Sequence, residues 1–144
     1  MNGKIKVMIV DDEAGFVETL AQRLELREFE VSTALGGDEA LGRLDQTQPD
    51  VVVLDVQMPG RDGVDTLRQI KATFPLVEVI MLTGHATVES AIQGMKLGAF
   101  DYLLKPTETE DLVDKITKAR ARKKEQEDRI QKAEINKIVH SRGW

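Results

Sequence analysis

The feature that most constrains the fold is a short aliphatic run that ends on a carboxylate. Residues 51–54 are four consecutive aliphatic residues, Asp55 follows them, and Met58, Pro59 and Gly60 break the pattern, in the sequence VVVLDVQMPG. An unbroken apolar run between turn signals is typical of a parallel strand covered on both faces. Ligands bind such sheets at the carboxyl ends of the strands, so Asp55 is predicted to lie at a functional site.

Four further apolar runs alternate with segments of helical spacing. Strands are predicted at residues 6–10, 29–33, 51–55, 77–83 and 100–104. The helical segments between them carry apolar residues three or four apart, for example Phe16, Leu20 and Leu24, then Val64, Leu67 and Ile70, then Val88, Ala91, Ile92 and Met95, with Gly98 closing this last helix. A capping box from Thr107 to Glu110 predicts the start of the final helix.

Five such βα units predict an α/β fold. The pattern allows either common doubly wound order, and we favour a five-stranded parallel sheet in the flavodoxin-like order 2-1-3-4-5, with an extended C-terminal helix. The 144 residues suit one domain, which we expect at 1–122, followed by a helical extension or linker at 123–144. No apolar run reaches the length of a membrane span. The chain has no cysteine and no signal-peptide pattern, which favours a cytoplasmic protein.

Charge is distributed unevenly along the chain. Residues 1–106 carry 10 Lys and Arg against 17 Asp and Glu, whereas residues 107–144 carry 10 against 8. An acidic body argues against a nucleic-acid surface, because phosphate contacts need clustered cations. The mildly basic tail lacks a following helix-turn-helix, so we expect no direct contact of this chain with nucleic acid.

Polar residues with complementary chemistry stand at the ends of four predicted strands. Asp11, Asp12 and Glu13 follow the first strand and Asp55 ends the third, whereas Thr83 ends the fourth and Lys105 follows the fifth. In the 2-1-3-4-5 order these strands are neighbours, so the side chains converge at one edge. Carboxylates from two strands suit Mg²⁺, and an ammonium with a hydroxyl suits phosphoryl oxygens. Asp55 is then the candidate nucleophile that forms an aspartyl phosphate.

Each of these residues also has an ordinary structural interpretation. Asp12 and Thr83 could cap helices, Lys105 could be a solvated lysine, and Pro106 could end a strand. Taken singly, these interpretations are favoured. Their joint placement at one edge favours function, because unrelated caps need not choose the same edge.

The segments IVDDE, VVLDVQMPGRDG, MLTGHA and GAFDYLLKP closely resemble the response-regulator receiver domain of two-component signalling, over about residues 4–122. The resemblance implies that Asp55 accepts phosphate from a sensor histidine kinase and that Asp12, Asp55 and the main-chain carbonyl of Gln57 bind Mg²⁺, with Asp11 supporting the ion through water. It further implies that Thr83 and Lys105 hold the phosphoryl oxygens, that Tyr102 turns inward when Thr83 moves, and that the Lys105–Pro106 bond is cis.

The segments GHATVES and MKLGAFDYLLKP are similar to those of NtrC-like regulators, which carry an ATPase domain. No G-x-x-x-x-G-K-[ST] loop is present in this sequence, so the chain is interpreted either as a stand-alone receiver or as a receiver with its linker from a longer protein.

Three functions are compatible with this pattern. We favour a phosphorylation-controlled signalling switch that is a phosphoacceptor rather than an enzyme. An aspartyl-phosphate hydrolase of similar fold would need a general acid where Gln57 stands, and a phosphate-independent scaffold would not need the intact acidic set.

The tail is helix-forming but has few apolar residues until Ile130, Ile135 and Ile138. It is either a solvated extension or a signalling helix. We expect a homodimer through the fourth helix, fifth strand, fifth helix and tail.

Overall fold

Strands and helices alternate along the described part of the chain. The computed structural model describes residues 3–57, 63–84 and 88–141. Its elements are β1 (Lys6–Val10), α1 (Ala14–Leu26), β2 (Glu30–Ala34), α2 (Gly37–Thr47), β3 (Val51–Leu54), α3 (Gly63–Thr73), β4 (Glu78–Thr83), α4 (Val88–Lys96), β5 (Asp101–Leu104) and α5 (Thr109–Ser141). The five strands form one parallel sheet in the order β2-β1-β3-β4-β5, which confirms the predicted fold.

Helices cover both faces of the sheet, as its aliphatic strands require. One apolar cluster joins alternate strand residues such as Met8 and Val52 to α2 and α3. The other joins the intervening residues, such as Ile9 and Val53, to α1 and α5. All four residues of β3 are buried. Asp55 directly follows this central strand, so it lies at the carboxyl edge of the sheet next to the packed core.

The helix α4 packs on the sheet through small residues. Ala91 and Gly94 are its buried residues, and a Cβ at position 94 would lie 2.3 Å from the Met81 sulfur. The larger apolar residues of this helix lie outward: Val88, Ile92 and Met95 are exposed. The predicted end at Gly98 is confirmed, since this glycine has φ +105° and the Ala99 N–H bonds to the Gly94 carbonyl at 3.0 Å.

Several predicted boundaries differ from the structure by one or two residues: β2 is shifted to Glu30–Ala34, β3 ends at Leu54, and β4 and β5 each begin one residue later than predicted. Phe29 is not in β2, because its N–H donates to the Leu24 carbonyl at 3.2 Å at the end of α1. The final helix begins at Thr109 instead of directly after Thr107, and the Leu112 N–H donates to the Glu108 carbonyl. Glu110 does not complete the expected capping box. Its carboxylate accepts a hydrogen bond from Arg27 Nε of α1 at 2.7 Å.

The helix α5 runs unbroken for 33 residues, about 50 Å. Leu112, Ile116 and Ala119 bury its first part against the sheet. Ion pairs then attach the helix to the residues beside the sheet; for example, Lys123 Nζ lies 3.0 Å from Asp50. Beyond this point residues 124–141 extend for about 27 Å. Among the helices of the described ranges, none is both long and apolar enough to cross a membrane.

Candidate functional site

Three carboxylates meet at the carboxyl edge of the sheet, as predicted. The strand ladder places Asp11 and Asp55, whose N–H groups donate to the carbonyls of Ala34 (3.1 Å) and Val10 (2.9 Å). Asp12 follows on the same turn. One carboxylate oxygen from each of the three lies within 4.8 Å of the others. Asp11 and Asp55 are buried, whereas Asp12 is exposed, so the cluster is open to solvent on one side.

Asp12 is not the cap of α1. The capping position is Glu13, and no side chain makes a capping hydrogen bond there. The ordinary interpretation of Asp12 as a helix cap is therefore wrong, and its carboxylate belongs to the acidic cluster. The turn is held instead by Asp11, whose Oδ1 accepts from the Glu13 N–H at 3.0 Å.

Lys105 brings the opposite charge into the cluster. Its Nζ lies 2.5 Å from Asp11 Oδ2 and 3.5 Å from Asp55 Oδ2, and its side chain is 15% exposed. The Lys105 N–H donates to the Thr83 carbonyl at 2.9 Å, which ties the end of β5 to the end of β4. The Lys105–Pro106 peptide bond is cis, as the resemblance implied.

Burial and charge shift the ionisation of two of these groups. Burial raises the pKa of Asp11, and the Asp55 charge adds to this, although hydrogen bonds from Lys105 and the Glu13 N–H oppose it. Burial acts to lower the pKa of Lys105, but its hydrogen bond to Asp11 and the surrounding carboxylates hold the pKa above its usual value. The ammonium is therefore charged in the cluster at neutral pH.

The remaining predicted residues lie around the same cavity. Its volume is about 270 Å³, and its lining includes Asp12, Glu13, Asp55, Gln57, Thr83, Gly84 and Lys105. Thr83 is buried at the last position of β4. The Gln57 N–H donates to Asp55 Oδ1 at 2.9 Å, which orients the carboxylate. The turn residues 58–60 and His85 lie outside the described residues.

The donor set fits a hard divalent cation. Three carboxylates offer oxygen ligands from two adjacent strand ends, with an exposed side at Asp12 for water, and Mg²⁺ favours a few carboxylates while it keeps several waters. The ammonium of Lys105 offsets only part of the negative charge of the cluster, so a cation would be attracted to it.

Tyr102 lies beside the site instead of in it. Its side chain is 40% exposed, and its backbone pairs with Met81 of β4. Between Tyr102 and Thr83 lies a small space lined by Val56, Met81, Ser90 and Ala91, too tight to hold a water molecule. The Tyr102 ring therefore has no room to turn inward unless a residue that lines this space moves.

Sequence reasoning assigned no role to two residues that contact Lys105. Glu13 Oε1 lies 3.4 Å from its Nζ, and the Phe16 ring centroid lies 4.2 Å from the same atom. Phe16 was expected on the core face of α1, and it is partly buried against the core cluster of α1 and α5, whereas Val17, Leu20 and Leu24 are the buried residues of that helix. The only feature of the sequence that could have suggested the contact between Phe16 and Lys105 is that Phe16 lies one helical turn after the acidic residues.

Comparison with known proteins finds receiver domains and response regulators by sequence and by structure. The sequence model of the response regulator receiver domain matches residues 7–117. The chain is 39% identical over 111 residues to the transcriptional regulatory protein PrrA of Mycobacterium leprae, covering 77% of this chain and 48% of PrrA. It is 35% identical over 121 residues to the DNA-binding transcriptional regulator NtrC of Salmonella typhimurium, covering 84% and 26%, which is consistent with the NtrC-like resemblance. The chain thus spans less than half the length of these relatives.

A solved receiver domain from Clostridium thermocellum has the same architecture, with a TM-score of 0.78 and 40% sequence identity. The match covers 83% of this chain and 96% of that one. The solved structure agrees with the fold described above, and the family model and the relatives agree on the family. The chain therefore belongs to the response regulator receiver domain family, whose general function is that of a phosphorylation-controlled switch in two-component signalling and whose members are generally not classical enzymes.

Proposed function

We propose that Asp55 is the phosphoacceptor of this receiver and that a sensor histidine kinase is the donor. The observation that carries the proposal is the buried Asp55 carboxylate, oriented by the Gln57 N–H at 2.9 Å and lying 3.5 Å from the Lys105 ammonium. It opens into a cavity that can admit a phosphoryl group. Asp11, Asp12, Asp55 and the main-chain carbonyl of Gln57 would hold Mg²⁺, which neutralises charge on the phosphoryl oxygens when bound.

The transfer needs a nucleophile and charge stabilisation, and the residues supply both. An Asp55 carboxylate oxygen forms a bond to phosphorus as the phosphorus–nitrogen bond of the donor phosphohistidine breaks, and the leaving imidazole nitrogen takes a proton. Lys105 and the Thr83 hydroxyl would hold two of the phosphoryl oxygens. Any hydrolysis of the aspartyl phosphate by this chain would be self-dephosphorylation without a general base at Gln57 to activate the water, because an amide does not accept that proton.

The switch would run from Thr83 to the surface between α4 and β5. As Thr83 moves toward the phosphoryl group, it vacates space into which Tyr102 turns, and α4 shifts to admit the ring. This surface is apolar: its groove of about 440 Å³ is lined by Val88, Ala91, Ile92, Met95, Lys96 and Tyr102. A change here alters what the surface can bind.

We infer that the partner on this surface is a second copy of the chain, aided by the tail. Ile130, Ile135 and Ile138 are each about half exposed on α5, and pairing with another copy would cover them. Phosphorylation would tighten this homodimer by about 1–3 kcal/mol. We propose that residues 1–122 form the receiver domain and that residues 123–144 form an extension that links it to a partner or to a further domain.

The proposed role as a kinase-controlled receiver also bears on contact with nucleic acid, on location in the cell and on the output of the pathway. Four basic residues in the first half of α5 pair with carboxylates in or next to the sheet: Lys115 with Asp101, Arg120 and Lys123 with Asp50, and Arg122 with Glu78. This pairing supports the proposal that the chain does not itself contact nucleic acid. A kinase that takes phosphate from ATP works in the cytoplasm, so we place the chain there. A longer protein, as in the relatives, would add the output activity.

Acetyl phosphate with Mg²⁺, followed by intact mass, tests the proposal. We expect one added phosphoryl group in the wild-type chain and none in Asp55→Asn or after chelation of Mg²⁺. Undiminished labelling of Asp55→Asn would refute the site. Rapid continuous turnover of acetyl phosphate would favour the hydrolase, and absence of labelling in the wild type would favour the scaffold.

A further inference from the structure

We propose that Phe16 is a positioning residue for Lys105 in phosphoryl transfer. The inference rests on the proposed function and adds a residue to it. Phe16 lies on the first turn of α1, and its ring centroid is 4.2 Å from Lys105 Nζ. This distance is well inside the range of about 6 Å over which an ammonium is attracted to an aromatic face.

The contacts of Lys105 differ in kind. Asp11 and Glu13 accept hydrogen bonds from the ammonium at 2.5 and 3.4 Å, so each of them takes an N–H donor, and an Asp55 oxygen lies 3.5 Å from the same nitrogen. The Phe16 ring attracts the charge through its π face and needs no dedicated N–H donor. It can therefore hold the ammonium at the site while the donors remain available for phosphoryl oxygens.

This difference matters because the carboxylates that contact Lys105 are also proposed to take part in Mg²⁺ binding. Asp11 and Asp55 belong to the proposed Mg²⁺ site, so a bound cation would reduce their attraction for Lys105 before the phosphoryl group arrives. The long, flexible lysine stem would then have more freedom to leave. Phe16 is uncharged and takes no part in metal binding, so its attraction for the ammonium persists. We expect the ring to matter most with Mg²⁺ bound and before the phosphoryl group is transferred.

The test is a double-mutant cycle on the rate of labelling by acetyl phosphate at saturating Mg²⁺. Phe16→Leu keeps an apolar side chain but removes the ring, and we expect it to slow labelling about two- to fivefold. In the Lys105→Met background the same substitution is expected to have no effect, because no ammonium remains. Phe16→Tyr keeps the ring and is expected to retain the wild-type rate.

A matched control exists at the other end of the sheet. Phe100 makes a second cation–π contact among the described residues, with its ring centroid 4.7 Å from Arg122 Cζ. Phe100→Leu removes this contact and is expected to leave the labelling rate unchanged. Equal slowing by Phe16→Leu and Phe100→Leu, or equal slowing by Phe16→Leu with and without Lys105, would mean that Phe16 acts only through stability and would overturn the proposal.

A spectroscopic readout separates this inference from the proposed function. Protons above an aromatic face shift upfield, so the Lys105 ε-methylene signals are expected upfield in wild type, with and without Mg²⁺, and at ordinary values in Phe16→Leu. Unshifted wild-type signals would overturn the contact even if Asp55 is labelled. Shifted signals in a chain that takes no phosphoryl group would preserve the contact and refute the proposed function instead.

Discussion

The ion pair between Glu78 and Arg122 gives a sharp test of what holds the long final helix. Glu78 begins β4 and is 3% exposed. Arg122 of α5 reaches it with two hydrogen bonds, Nε to Oε2 at 2.5 Å and Nη2 to Oε1 at 2.7 Å, and its guanidinium also lies 4.7 Å from the Phe100 ring. We predict that Arg122→Met destabilises the chain substantially, because it leaves a buried carboxylate poorly paired.

The size of the effect follows from the exposure of each partner. Removing one partner of a fully buried pair costs about 3–5 kcal/mol. Here the Arg122 side chain is 46% exposed, and Lys71 Nζ remains 3.7 Å from Glu78, so both features reduce the loss. We expect about 2–3 kcal/mol for Arg122→Met. Glu78→Gln removes the buried carboxylate and keeps a hydrogen-bonding group, while the Lys71 ammonium keeps its hydrogen bonds to the carbonyls of Pro75 and Val77, so about 1 kcal/mol is expected.

Urea unfolding followed by circular dichroism measures these differences, and Arg129→Met is the matched control. Arg129 makes its pair with Glu125 on the same helix at 2.5 Å, but both side chains are mostly exposed. Pairs of this kind contribute about 0.3–0.5 kcal/mol. If Arg122→Met costs no more than Arg129→Met, the reasoning about the buried carboxylate is wrong.

Three further predictions address the switch, a close packing contact and the tail. Thr83→Ala is expected to accept phosphate from acetyl phosphate yet to lose the change in α4 and β5, measured by NMR; a wild-type response would refute the switch route. Gly63→Ala is expected to cost at least 2 kcal/mol in urea unfolding, because a Cβ would lie 2.3 Å from the Val56 Cα, whereas Gly42→Ala meets nothing within 4 Å and is the control. Truncation after Lys124 is expected to weaken dimerisation of the phosphorylated chain in light scattering, and an unchanged mass would leave the tail a solvated extension.

The fold could be predicted because the strand signals are local and strong. The run Val51 to Leu54 is buried along its whole length, and such runs are distinctive in a sequence. Element ends were less predictable. Gln48 closes α2 with φ +46° and Glu28 follows α1 with φ +68°, and neither residue is the glycine that usually marks such a turn.

The acidic site could be predicted because topology alone brings strand ends together. Asp11 and Asp55 needed only the order of β1 and β3 to become neighbours. The contact between Phe16 and Lys105 could not be predicted in this way. It joins α1 to the end of β5 and depends on the direction in which a long, flexible side chain lies, which spacing along the sequence does not determine.

The tail shows why a charge run is hard to interpret from sequence. Residues 118–124 look like a solvated basic helix face, yet Arg122 and Lys123 bind the carboxylates of Glu78 and Asp50. Those carboxylates lie next to the amino ends of β3 and β4, far along the chain from their partners, so no local pattern connects them. The same helix is therefore fastened to the end of the sheet opposite Asp55, and its free part begins only after Lys123. An interpretation of the whole basic run as solvated is therefore wrong for Arg122 and Lys123, whose charges are paired with carboxylates at the sheet.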